Sequence, residues 1–362
     1  MKTICIAGKN NIAVDVLNYI KNNFNHNLCV VLNKTDKGIN GFQRSLKYYA
    51  LEWNIDIFNL DEIYNIDDLI FLSLEFDRII KPEKFKTKNL FNIHFSLLPE
   101  YKGMYTSALP ILHGKNYSGV TLHEIDEGID TGDIIDQVKF EIPEYYTSRD
   151  LYLKYIEEGT QLVITNIEKI IKNNYNKFKQ PYENSTYFSK KSIDYSNLQI
   201  DYNTTAYQIV NQLRAFTFRE YQLPTYNNKK ISKWEILSEK SNKFSGLVDY
   251  ESDIFVILNS IDYKIKIYYD FYDQLWESCI KNDIISLEKY YFLVEDINLR
   301  SNDGLNALLY SIKNGSYECV RFLINKNADT NIYDYEGKSA INYAEEFSKL
   351  NNDPRILDLL KV

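Results

Sequence analysis

The sequence predicts an α/β protein in three parts: a parallel-sheet domain over residues 1–180, a small β-rich subdomain over 181–268 and a helical repeat segment over 269–362. Three observations carry this. The first part alternates short apolar runs with helical stretches, the pattern of strands joined by crossovers. The second strings short strands together with turn residues between them. The third repeats itself.

Composition bounds the rest. The 362 residues suit two or three domains, and 44% apolar content supplies a core. A net charge of −8 gives no general drive onto nucleic acid phosphates. No apolar run approaches the ~20 residues of a membrane helix. The start, MKTICIAGKNN, is too short and polar for a secretory signal and reads as a first strand. Four scattered cysteines form no CxxC pair, so structural thiols in a cytoplasmic protein are expected.

Along the first part, TICIAG is a strand and a helix follows near 11–22. NLCVVLN is the second strand and FQRSLKYYALEW the second helix. DIFNL, DLIFLSL, LFNIHFS, GVTLHEID and DIIDQVKFEI are further strands. A long helix over 148–173, N-capped by Ser148, closes the domain. In the middle part, TTAYQIVNQLRAFTF is helical and KISKWEILS, FSGLVDY, DIFVILN and YKIKIYY are strands. In the last part Gly304 recurs as Gly337 and Ala307 as Ala340, both 33 positions later. That period and the DGxxAL opening resemble the ankyrin repeat, with Asn306-Ala307 where that family favours Thr-Pro. SCIKND, matching YSIKNG, is a degraded earlier copy. About three units barely bury a stacked core, so the array is expected to dock on the β-rich part.

The chemistry concentrates in FNIHFSLLPEYKG. Asn92 and His94 lie two apart and share one strand face. Ligands of parallel sheets bind beyond the carboxyl ends of strands. A polar pair at such an end is better explained by a site than by a core. The acidic loop EIDEGIDTGDIIDQ places Asp130 between two glycines, suiting close approach to a ligand. An amide that donates to an oxyanion, an imidazole that handles a proton and a carboxylate that holds the imidazole or a water suit acyl transfer to an amine. The single glycine of IAGKNN does not support a dinucleotide fingerprint, and the four histidines show no metal-ligand spacing.

FNIHFSLLPEYKG together with GVTLHEIDEGIDTGDII resembles the formyltransferases that use N10-formyltetrahydrofolate, over roughly residues 1–230. The resemblance implies a Rossmann-like domain, Asn92, His94 and Asp130 as the catalytic trio, and no metal. It implies a pterin pocket between SLEFDRIIKP and IDEGIDTGD, walled by Leu74, Phe76, Ile125 and Ile129. Within the family, Tyr101–Gln137 is similar to the sugar-nucleotide N-formyltransferases, and so is LRAFTFREYQLPTY. That branch implies a dTDP-linked 3- or 4-amino-dideoxyhexose as acceptor, formylated for O-antigen or a related lipopolysaccharide. Arg214 and Arg219 are candidates for the diphosphate, Phe218, Tyr221 or Tyr226 for stacking on the base, and Lys9 and Lys102 as further anion partners. Trp276, in the degraded first repeat, is a candidate stacking face for a second nucleotide, the alternative being a protein partner on the array. A homodimer is expected, with no nucleic acid or membrane partner. The other readings are a methionyl-tRNA formyltransferase and a non-catalytic folate- or nucleotide-binding scaffold.

Overall fold

The computed structural model describes residues 1–361. Two compact units result, one of residues 1–39 with 43–224, the other of 40–42 with 225–362.

The first unit opens with β1 (Thr3–Gly8), α1 (Asn10–Asn23), β2 (Asn27–Leu32), α2 (Leu46–Glu52), β3 (Asp56–Ile57), β4 (Leu69–Leu74) and β5 (Leu90–His94). It continues with β6 (Lys102–Gly103), α3 (Leu109–Leu112), β7 (Tyr117–Glu124), β8 (Ile134–Glu141), α4 (Ser148–Ile171), β9 (Tyr187–Phe188) and α5 (Ala206–Phe216). Seven strands form one sheet in the order β3-β2-β1-β4-β5-β7-β8. β3 through β5 are parallel. β7 runs antiparallel to β5 and β8 antiparallel to β7, so the predicted parallel sheet is extended at one edge by antiparallel pairing. The nine-residue loop accounts for the β7–β8 pair: it is long enough for a hairpin but too short for a crossover.

β1 and β4 are buried along almost their whole length, as befits strands covered on both faces. They approach closely at Gly8, where a Cβ would lie 1.8 Å from the Leu74 carbonyl oxygen. On one face α4 packs against α1 through Gly159, whose missing Cβ leaves room for Ile12. Thr147, not Ser148, caps α4: its hydroxyl accepts the Asp150 N–H and the Asp150 carboxylate returns to the Thr147 N–H. Ser148 instead donates to the Thr217 carbonyl.

The second unit begins with β10 (Thr225–Tyr226), β11 (Lys229–Lys240), β12 (Val248–Glu251), β13 (Phe255–Asn259) and β14 (Tyr263–Tyr269). They form an antiparallel sheet in the order β10-β11-β14-β13-β12. Asn227 and Asn228 both take positive φ, the two-residue turn that matches the twist of a hairpin. Three helix pairs follow: α6 (Tyr272–Lys281) with α7 (Ile284–Tyr291), α8 (Ala307–Lys313) with α9 (Tyr317–Asn325), and α10 (Ala340–Asn351) with α11 (Arg355–Leu360). Asn306 and Ser339 cap α8 and α10 at equivalent positions, so Asn306 takes over the cap a threonine would supply. Gly304 and Gly337 both hold φ +82, the left-handed backbone that favours glycine. Sheet and helices join at Asp270, whose N–H donates to the Lys230 carbonyl, and through the Lys230–Asp273 and Lys233–Glu295 ion pairs. Among the described residues no helix is long and apolar enough to cross a membrane.

Candidate active site

β5 places Asn92 and His94 on one face, and the antiparallel register of β7 sets His123 opposite Asn92. The loop between β7 and β8 then brings Asp130 back to both histidines. Asp130 takes φ +54. Its loop is pinched at Gly132, where a Cβ would lie 1.8 Å from the Glu124 carbonyl oxygen. Gln180 clamps it from outside, one amide nitrogen donating to the carbonyls of Asp130 and Gly132 at 2.9 and 2.8 Å. The N–H of Gly103 donates to Asp130 Oδ2 at 2.9 Å.

The sequence-predicted trio is therefore one cluster. His94 Nδ1 lies 3.4 Å from Asp130 Oδ2. His94 Nε2 lies 2.8 Å from the Tyr101 carbonyl oxygen. Both ring nitrogens face acceptors, which two N–H donors would satisfy.

His123 is the fourth member, missed from sequence. Its Nδ1 donates to the Glu124 carbonyl at 2.7 Å, leaving Nε2 to accept from Asn92 Nδ2 at 3.1 Å. Burial lowers its pKa to about 4, outweighing the pull of Asp130 3.7 Å away. A neutral His123 thus fixes which way the Asn92 amide points and leaves the second Asn92 N–H for a ligand. Its place follows from the pairing of β5 with β7, strands separated by β6 and α3, which no local pattern announces.

These side chains open into a cavity of about 790 Å³. Phe76, Ile125 and Ile129 line it, as expected for the apolar wall. Leu74 does not: it alternates with Ser73 and Glu75, which do face the cavity, and is itself 1% exposed. Arg78, Lys190 and Lys191 add positive charge to the lining.

The acceptor-side residues fare unevenly. Arg214 is no diphosphate ligand here. It is buried, and its three guanidinium nitrogens donate to Tyr146 O, Pro143 O and Asn211 Oδ1. Phe218 is likewise buried, packed on Tyr152 and Tyr221, and offers no free face to a base. Tyr221 is exposed, and Arg219, Lys9 and Lys102 are half-buried. Tyr226 belongs to the second unit. Trp276 has no open stacking face: it is 9% exposed and packs between Tyr272 and Tyr310 in the core of the helical array. Among the described residues no cluster of three or more His, Cys, Asp and Glu side chains could hold a metal.

Two family models match, one for formyl transferases over residues 65–167 and one for ankyrin repeats in three copies over 277–360. A solved structure of WlaRD, a sugar 3N-formyltransferase in the presence of dTDP and 5-N-formyl-THF, is 49% identical, with a TM-score of 0.70. The match covers 74% of this chain and 98% of that one. The chain belongs to the sugar N-formyltransferases. An N-formyltransferase of the family from Helicobacter canadensis, in complex with folinic acid and dTDP-3-aminofucose, is 46% identical over 75% of this chain and all of that one, also at TM-score 0.70. More distantly, a methionyl-tRNA formyltransferase of Sulfurihydrogenibium sp. is 32% identical over 53% of this chain and 66% of its own length. As a sugar N-formyltransferase the chain combines the catalytic fold with the ankyrin repeats that the spacing of Gly304 and Gly337 announced.

Proposed function

We propose that this sugar N-formyltransferase moves a formyl group from N10-formyltetrahydrofolate to the amine of a dTDP-linked amino-dideoxyhexose, for O-antigen or a related surface polysaccharide. The observation that carries the reading is the pairing of the Asn92–His94–Asp130 cluster with two relatives, matched over essentially their whole length, whose structures hold dTDP or a dTDP-amino sugar beside a formyl-folate. The position of the amine in the Helicobacter canadensis ligand favours a 3-amino sugar.

In this mechanism the neutral amine attacks the formyl carbon, a C–N bond forms, and the bond from that carbon to N10 breaks. The Asn92 N–H not given to His123 donates to the developing oxyanion, and protonated His94 stabilises the same charge. Asp130 accepts the amine proton, directly or through a water, and it is passed to N10 of the departing folate. Phe76, Ile125 and Ile129 exclude water from the pterin side of the cavity. The four cysteines are unpaired and buried, in keeping with a cytoplasmic enzyme. We assign a homodimer as the working assembly and a protein partner to the ankyrin array.

Turnover of a panel of dTDP- and UDP-amino sugars with formyl-folate tests the reading. A dTDP-amino sugar should be formylated and charged initiator tRNA ignored; efficient formylation of the tRNA alone would reverse it. Asn92→Ala, His94→Ala and Asp130→Ala should each fold and lose about 10²–10³ in kcat. A His94→Ala enzyme near wild-type kcat would remove His94 from the chemistry.

A further inference from the structure

In an open α/β sheet the binding crevice lies where the strand order reverses, outside the carboxyl ends of the strands on either side. Here the order β3-β2-β1-β4-β5 reverses between β1 and β4. The residues just past those two ends are Lys9 and Asn10 after β1, and Glu75 after β4. The two strands touch backbone to backbone at Gly8, and the Lys9 N–H donates to the Leu74 carbonyl at 3.2 Å. Asn10 and Glu75 both take left-handed backbone, φ +66 and +59, where neither is a glycine.

Glu75 lines the same cavity as the trio. One of its oxygens is taken twice over. Asn10 Nδ2 donates to Oε2 at 3.0 Å and the Tyr152 hydroxyl donates to it at 2.9 Å. Asn10 Nδ2 also reaches the Tyr152 oxygen at 2.7 Å, closing a triangle that fixes the carboxylate's rotation. Oε1 makes no hydrogen bond or ion pair with any described residue. Burial raises the carboxyl above the ordinary range, with Lys9 and the Asn10 and Tyr152 hydrogen bonds pulling the other way. A carboxylate kept in such a place, one oxygen fully bonded and the other idle, matches a ligand donor better than it matches a structural role.

We propose that Glu75, oriented by Asn10 and Tyr152, is a specificity-determining residue for the acceptor hexose, its Oε1 accepting a hydrogen bond from a ring hydroxyl flanking the amine. The inference rests on the proposed transfer to a dTDP-amino sugar. A hydroxyl fits better than the amine itself. The amine must reach the formyl carbon at Asn92, His94 and Asp130 unprotonated, whereas a carboxylate would hold an ammonium in its unreactive form. A single acceptor oxygen in a fixed direction also distinguishes epimers, because inverting the hydroxyl moves its donor away from Oε1.

The test uses the full chain, dTDP-3-aminofucose and two analogues, each lacking one of the hydroxyls that flank the amine. Wild type, Glu75→Gln and Glu75→Ala are compared by kcat/KM and, separately, by calorimetric Kd without folate. Removing one of the two hydroxyls should cost wild type about 10- to 100-fold in both quantities, the value of one hydrogen bond to a charged acceptor. Glu75→Ala should lose the same factor on the parent sugar and nothing further on that analogue. Glu75→Gln, which puts an NH₂ in place of Oε1, keeps the fold and should also lose the discrimination. Kd for dTDP alone should not move in either variant. Equal discrimination by wild type and both variants in Kd would overturn the subsite, as would equal losses on all three sugars. Failure of wild type to formylate any of these sugars would instead strike the transfer reading, since the binding arm judges Glu75 without turnover.

Discussion

His123 is uncharged in the folded chain at pH 7, because burial holds its pKa near 4 and leaves only the Nδ1 proton that it donates to Glu124. An unfolded histidine titrates near 6.5. Between those values the unfolded chain binds a proton that the native chain refuses. The contribution to stability is complete above about 6.5 and is lost as pH falls toward 4. Urea midpoints measured from pH 7.5 to 4.5 should therefore fall less steeply for His123→Gln than for wild type. The same variant should show a reduced kcat at near-constant KM, because its loss frees the Asn92 amide to rotate.

Glu75 titrates in the opposite sense. Its carboxyl is raised by burial, so its contribution is fully present below the ordinary carboxylate range and is lost as pH rises through the raised value. Glu75→Gln should raise Tm at pH 7 and leave it unchanged at pH 4. A Tm that drops at pH 7 would mean that Lys9 and the two hydrogen bonds outweigh burial.

At the scale of elements, the trio depends on three pieces that are distant in sequence. β5 supplies Asn92 and His94, with His123 of β7 set beside Asn92 by register; the loop after β7 supplies Asp130, and β6 supplies the Gly103 N–H that holds it. Gly103 takes φ +89, and a Cβ there would sit 2.2 Å from the Phe188 carbonyl oxygen. Gly103→Ala should therefore part β6 from β9 and release Asp130 from one restraint. A large fall in kcat and a lower Tm are expected, without any change to a catalytic side chain. Asn92, His94 and Asp130 were legible in the sequence because a two-residue spacing on a strand and a glycine-flanked acid are local signals. His123, Gln180 and the shared cavity were not, because they depend on which strands pair. Arg214 misled for a related reason. A charged residue near a helix end reads as exposed, and nothing local shows that three acceptors wait for its guanidinium.

Across the whole molecule, the α/β class, the β-rich middle and the repeats were legible because each has its own period. The reversal of β7 was not, because strand direction depends on the path of the connecting chain rather than on the strand itself. The helical array builds its own core, in which Trp276 joins Leu275, Cys279, Leu308 and Ile312. Trp276→Ala should cost about 3–5 kcal/mol, the usual penalty for emptying a buried tryptophan site. Guanidinium unfolding followed through the second unit would show it as a lowered midpoint. A midpoint unchanged from wild type would mean that the ring contributes no packing there.

Gln180 reaches the Asp130 loop only after α4 has run its course, and Phe188 meets Gly103 later still. Chains grow from the amino end, and domains fold as units during synthesis. A nascent chain that has emerged as far as Ile171 already contains Asn92, His94, His123 and Asp130, yet neither brace on the acid has been made. Assembly of the reaction centre thereby waits for the segment that follows α4. A messenger truncated just short of Gln180 would yield a polypeptide with every reacting group and no fixed arrangement of them.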